Sequence, residues 1–289
     1  MRASESQFLD VRGLRYHVRH WKGDARRRMI LLHGWMDVSA SFQFLVDALA
    51  RDWDVLAPDW RGYGLSAWSG ADSYWFPDYI ADLERLLERL QPDSPANLVG
   101  HSLGGNVASL YAGIRPERVA KLVNLEGFGM RSTHAEHAPK RYARWMDELH
   151  ARPKLRPYAS YASLADRLQQ NNARLTRERA EFLARHWGKD TPEGKVVLRS
   201  DPAHKIVNAT LYRIEESIAC WKQVTAPVLW VDAAESDTLK RMGLTEAEHA
   251  ERRAAFANLR YETIAGAGHM LHHDQPETVA RLIEEFLLG

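Results

Sequence analysis

A serine, a histidine and a choice of carboxylates stand in this chain where a hydroxyl could be made nucleophilic. The serine is Ser102, in the run Gly100-His101-Ser102-Leu103-Gly104-Gly105. The apolar Leu98-Val99 precedes that run, and the helix-like Asn106 to Ala112 follows it. Strand, tight turn and helix are the context of a nucleophile elbow. Residues two before and two after such a serine must be small, because their Cβ atoms would meet across the turn. Gly100 and Gly104 occupy those places. The turn aims the N–H of Leu103, at the helix start, toward the point where an oxyanion would form. The loop His33-Gly34-Trp35 is placed to supply a second donor, the N–H of Trp35.

A serine hydroxyl needs a base to take its proton, and the base needs a third group to orient it. Gly266-Ala267-Gly268-His269 follows a strand-like run and precedes the last helix-like one, so His269 is the expected base. For the acid, the loop after Val231 reads Asp232-Ala233-Ala234-Glu235-Ser236-Asp237. Asp237 stands a few residues beyond the strand end and is the preferred partner of the imidazole. Glu126, at the end of the strand after the elbow, is its rival from the other side. Trp60 and His101 are expected to touch substrate. His272 and His273 follow His269, but no carboxylate or cysteine stands at ligand spacing beside them, so no metal is expected. No cofactor is implied.

The bulk numbers narrow the classes. With 289 residues, 45% hydrophobic and 27% charged, the chain suits one large globular domain or a core with an insertion. A net charge of +1 gives no general pull toward nucleic acid or an anionic membrane. Arg26-Arg27-Arg28 reads as a solvated turn. A single cysteine, Cys220, allows no internal disulfide and reads as a packing residue. No apolar run approaches the roughly 20 residues that span a bilayer, and Met1 to Ser6 lacks a signal-peptide core. A cytoplasmic protein acting on a small molecule, as a monomer or homodimer, is the expectation.

The elements that must position these groups alternate. Phe8 to Val11 and Leu14 to Val18 form a hairpin at Gly13. Met29 to Leu32, Val55 to Pro58, Leu98-Val99 and Lys121 to Glu126 are short apolar runs, as buried parallel strands should be. Amphipathic helical stretches, such as Tyr79 to Leu90, lie between them. From about Met130 to Asn208 the alternation stops, and the sequence reads as helical without a convincing strand. It resumes at Val228 to Val231, and Pro276 to Leu288 is a closing helix. The expected architecture is a mostly parallel eight-stranded α/β sheet, helices on both faces, with residues 1–129 and 209–289 as core and 130–208 as a helical cap over the strand ends.

Together Leu32-His33-Gly34-Trp35, Pro58 to Ser66, Gly100 to Gly105, Glu235-Ser236-Asp237 and Gly266 to His269 resemble the α/β-hydrolase superfamily, in order and over nearly the whole length. The closest likeness is to its capped serine-hydrolase branch. The resemblance implies hydrolysis of a carboxylic ester or lactone through an acyl-enzyme on Ser102. It leaves open a C–C bond hydrolase, for which Arg141, Arg144 or Arg174 could hold a substrate carboxylate, and a non-enzymatic hydrolase-like receptor. One departure from the family is Val231-Asp232-Ala233, where a glycine turn is usual before the acid.

Overall fold

The computed structural model describes residues 1–289. Ten strands form: β1 (Glu5–Val11), β2 (Leu14–Trp21), β3 (Asp24–Leu32), β4 (Trp53–Pro58), β5 (Ala96–His101), β6 (Val119–Leu125), β7 (Gly188–Asp190), β8 (Val196–Leu198), β9 (Val228–Ala233) and β10 (Leu259–Ile264). Eight of them make one sheet in the order β1-β2-β4-β3-β5-β6-β9-β10. β1 and β2 are antiparallel, and β2 is antiparallel to β4, while every later pair is parallel. The β1–β2 turn has Arg12 and Gly13 both at positive φ (52° and 76°). Two such residues twist the chain to match the strands they join.

Successive side chains of a strand point to opposite faces, and here that alternation builds two cores. Ile30 and Leu32 join one apolar cluster with the helices Phe76–Leu90 and Leu103–Ile114. Met29 and Leu31 join the other, with Pro276–Leu288 and Gln43–Asp47. The sheet is thus covered on both faces, which is why its central strands read as continuous apolar runs.

Between β6 and β9 the chain leaves this pattern. It forms the helices Ala138–Ala151, Tyr161–Asn171 and Arg177–Trp187. It also forms the short antiparallel pair β7 and β8, which the sequence reading did not expect. Strands of three residues carry too little pattern to be seen. Leu164, Leu168, Leu175 and Leu183 give this segment its own apolar cluster, and Phe44 reaches into it from the sheet side. No helix is long and apolar enough to cross a membrane.

The layer beside the elbow is tightly packed. A Cβ on Gly113, in the helix Leu103–Ile114, would stand 1.9 Å from the carbonyl oxygen of Cys220 in the helix Ile214–Trp221. Backbone cannot give way as a side-chain tip can. Gly113→Ala is therefore expected to lose about 1–3 kcal/mol of stability, read as a lower midpoint in urea unfolding. An unchanged midpoint would mean that the two helices can separate freely.

Candidate active site

β5 ends in the elbow. Ser102 has φ 52° and ψ −112°, a backbone state costly for any residue with a Cβ. The turn closes tightly on both sides of it and admits only glycine there. A Cβ on Gly100 would lie 2.4 Å from the carbonyl oxygen of Gly104, and one on Gly104 would lie 2.0 Å from that of Leu32. The Ser102 N–H donates to the carbonyl of Leu125 on β6 at 2.8 Å. Leu103 opens the helix, so its N–H has no acceptor within it.

His269 follows β10 and meets the serine: Nε2 lies 3.1 Å from Ser102 Oγ. Its Nδ1 lies 3.0 Å from Oε2 of Glu126. The carboxylate accepts a hydrogen bond from Nδ1–H, which keeps the proton on Nδ1 and leaves Nε2 unprotonated and ready to accept from the hydroxyl. Glu126 is buried and is held by two further donors. The Ala233 N–H donates to Oε1 at 2.7 Å, and the Ser236 hydroxyl donates to Oε2 at 2.5 Å.

The preferred acid of the sequence reading is thereby corrected. Asp237 does not face the imidazole: its side chain is 67% exposed and pairs with Arg241 at 2.9 Å. After β9 the chain turns tightly, with the N–H of Ser236 donating to the carbonyl of Ala233. Ser236 therefore points inward where an acid was expected, and Asp237 is carried out to the surface. Glu235 also points outward, to Arg174. Glu126 reaches inward because the turn after β6 gives it a φ of 56°. The buried Asn124 closes that turn: its Oδ1 accepts from the Gly127 N–H at 2.8 Å and its Nδ2 donates to the Gly127 carbonyl at 2.9 Å. Ser236 and Asn124 went unnoticed in the sequence. The available signal was a polar residue two before Glu126 and a glycine after it.

Trp60 and His101, expected to touch substrate, are both buried and neither lines the cavity described below. The Trp60 indole N–H donates to the carbonyl of His33 at 3.0 Å, and the Trp60 backbone N–H donates to Nε2 of His33 at 2.9 Å. Burial lowers the His33 pKa to about 4. The neutral ring then donates from Nδ1 to the Gly34 carbonyl at 2.8 Å and shapes the loop before Trp35. Trp35 itself lines the cavity described below.

The His101 ring donates from Nε2 to the carbonyl of His269 at 2.8 Å, beneath the loop that carries the base. It belongs to a buried group with Asp37 and His272, in which one ligand-capable atom of each lies within 4.8 Å of the others. Asp37 comes from 64 residues upstream of His101, so a search for acids near the histidines in sequence passes over it. Burial drives both imidazole pKa values well down and raises that of Asp37 to about 7. The group is thus a set of buried side chains whose charged forms burial disfavours.

Ser102, Leu103, Glu126 and Trp35 share a cavity of about 460 Å³, within the usual size for small-molecule sites. Its walls are mainly apolar, including Trp75, Phe76, Phe128 and Met242. Arg141 and Arg144, from the helix Ala138–Ala151, face it too. Arg174, paired with Glu235, does not.

With this geometry in view, the chain matches the family described as alpha/beta hydrolase fold over residues 27–276. It is 28% identical over 281 residues to a serine hydrolase-like protein of Danio rerio, covering 92% of this chain and 83% of that one. It is 25% identical to serine hydrolase-like protein 2 of Homo sapiens, covering 90% and 86%. The thioesterase domain from the curacin biosynthetic pathway superposes with a TM-score of 0.87 at 23% identity, covering 98% of this chain and 99% of that one.

The buried acid under the base makes stability depend on pH. Asp37 rises from 3.8 to about 7 on folding. Between those values the unfolded chain has released the proton and the folded chain still holds it. This contribution is therefore full below the lower value and is lost as pH rises toward the upper one. Asp37→Asn keeps an acceptor for the Val38 N–H and the Ser41 hydroxyl but cannot ionise. The Tm of the variant minus that of the wild type is expected to climb with pH across this window and to level off above it. A difference that stays flat would mean that Asp37 is ionised in the folded protein.

Proposed function

The chain belongs to the α/β-hydrolase fold family, and we propose that it is a serine hydrolase cleaving a carboxylic ester or lactone of a small to medium, partly apolar substrate. Ser102 Oγ attacks the carbonyl carbon while His269 Nε2 takes its proton. Glu126 holds the Nδ1 proton and stabilises the imidazolium that forms. The N–H groups of Leu103 and Trp35 hold the oxyanion. His269 then passes its proton to the leaving alkoxide, and water, activated by the same imidazole, releases the acyl group. The observation that carries the reading is the continuous run Ser102–His269–Glu126, with contacts of 3.1 and 3.0 Å, opening onto a mainly apolar cavity.

The reading assigns residues 1–129 and 209–289 to the hydrolase core and 130–208 to a cap. Support comes from the separate apolar cluster of that segment and from its arginines on the cavity wall. It includes a cytoplasmic protein, a monomer or homodimer, working without a cofactor.

Two acids compete for one role, and kinetics on short p-nitrophenyl esters separates them. Glu126→Gln is expected to lower kcat by roughly 10²–10⁴, the scale set when the acid of such a relay is neutralised. Asp237→Asn, altered at the surface, should stay within about threefold of wild type. A large loss in Asp237→Asn with little in Glu126→Gln would reverse the assignment.

A further inference from the structure

The charges around the cavity do not balance. Three cationic side chains line it: Arg141, Arg144 and Lys205. Its single acidic side chain is Glu126, which is already held by His269, Ser236 and the Ala233 N–H. Arg144 has an acid of its own, with Nε 2.6 Å from Glu148. That carboxylate is spent, because its other oxygen accepts the Val207 N–H at 2.6 Å. Arg141 is half-buried, forms no ion pair, and has Nε donating to the Asn208 carbonyl at 2.7 Å. Fixing Nε leaves the outer edge of the guanidinium, with its remaining N–H donors, free of protein partners. Lys205 likewise makes no ion pair. Arg141 and Arg144 stand three residues apart on one helix and so present a common face.

An arginine placed like this is costly to keep. Burial and the neighbouring Arg144 charge both lower its pKa. A bound anion opposes both effects, and the guanidinium fork matches a carboxylate with two parallel hydrogen bonds. The rest of the wall is apolar, so a ligand satisfying it has an apolar body and an acid at one end.

We propose that Arg141, assisted by Lys205, forms a carboxylate subsite, so that the substrate carries a free acid group distal to the bond cleaved at Ser102. The proposal rests on the hydrolase reading for the bond cleaved, but not for binding. Arg141 is a specificity residue here. Arg174, equally cationic but tied to Glu235 off the cavity wall, provides the control.

Two measurements test it. The first compares p-nitrophenyl butyrate with the p-nitrophenyl monoester of glutaric acid, which adds a terminal carboxylate. Wild type is expected to favour the acid ester in kcat/KM by about tenfold or more. Arg141→Gln should abolish that ratio, chiefly through KM. Arg141→Lys should keep part of it, and Arg174→Gln all of it. The second needs no turnover: titration calorimetry of Ser102→Ala with 5-phenylvalerate and with its neutral primary amide. The carboxylate should bind about tenfold more tightly, and adding Arg141→Gln should remove the difference. Equal binding of acid and amide, or a preference indifferent to Arg141, overturns the subsite. Preferential binding without any hydrolysis would uphold the subsite and sink the hydrolase reading instead.

Discussion

Two neighbouring parallel strands of this protein are each followed directly by a residue with positive φ. Ser102 follows β5 at φ 52° and Glu126 follows β6 at φ 56°. Each is a strained state of order 1–3 kcal/mol for a residue with a Cβ, and each depends on its surroundings. The glycines two before and two after make the first possible, because a Cβ on either would strike backbone across the turn. The side chain of Asn124 locks the second by bonding both polar groups of Gly127. The two are coupled, because the Ser102 N–H donates to the Leu125 carbonyl, the last residue before Glu126. Hydroxyl and carboxylate are therefore positioned by one piece of sheet. A single imidazole from a distant loop has only to drop between them.

That loop is supported from below by buried polar groups. His101 holds the backbone of His269, and Asp37 and His272 pack beside it, their charged forms disfavoured by burial. A second fixed charge beneath the imidazole, besides that of Glu126, would further bias whether it keeps or releases a proton. On the cavity side the charges other than Glu126 are cationic: Arg141, Arg144 and Lys205. The base therefore works between the buried Glu126 carboxylate, to which its Nδ1 is bonded, and a cavity that carries cationic side chains.

The sequence made some of this legible and hid the rest for identifiable reasons. The sheet could be read because its strands are apolar runs bounded by turns, and the closing helix Pro276–Leu288 because proline opens it. The elbow could be read because sterics demand glycines at fixed offsets. The acid could not. Both Asp237 and Glu126 follow a strand end, and which one faces the imidazole depends on how a single turn directs Ser236. The missing glycine after Val231 marked that turn as unusual without saying where it led. Trp60 and His101 misled for another reason: large polar aromatics beside a catalytic loop suit substrate contact and buried bracing equally well. Only their hydrogen bonds, to His33 and to the His269 backbone, distinguish the two roles. Asp37 was invisible as a neighbour of His272 because the two are far apart in the chain.

The central claim is that Ser102 is made nucleophilic by His269, and a fluorophosphonate probe reads this with no substrate known. Time courses of covalent labelling, with the modified peptide identified by mass spectrometry, would be compared for wild type, Ser102→Ala and His269→Ala. The account predicts rapid, stoichiometric modification at Ser102 in wild type, none in Ser102→Ala, and a labelling rate lower by roughly 10³ or more in His269→Ala. A wild-type protein that stays unlabelled, or a His269→Ala variant that labels as fast, would contradict it.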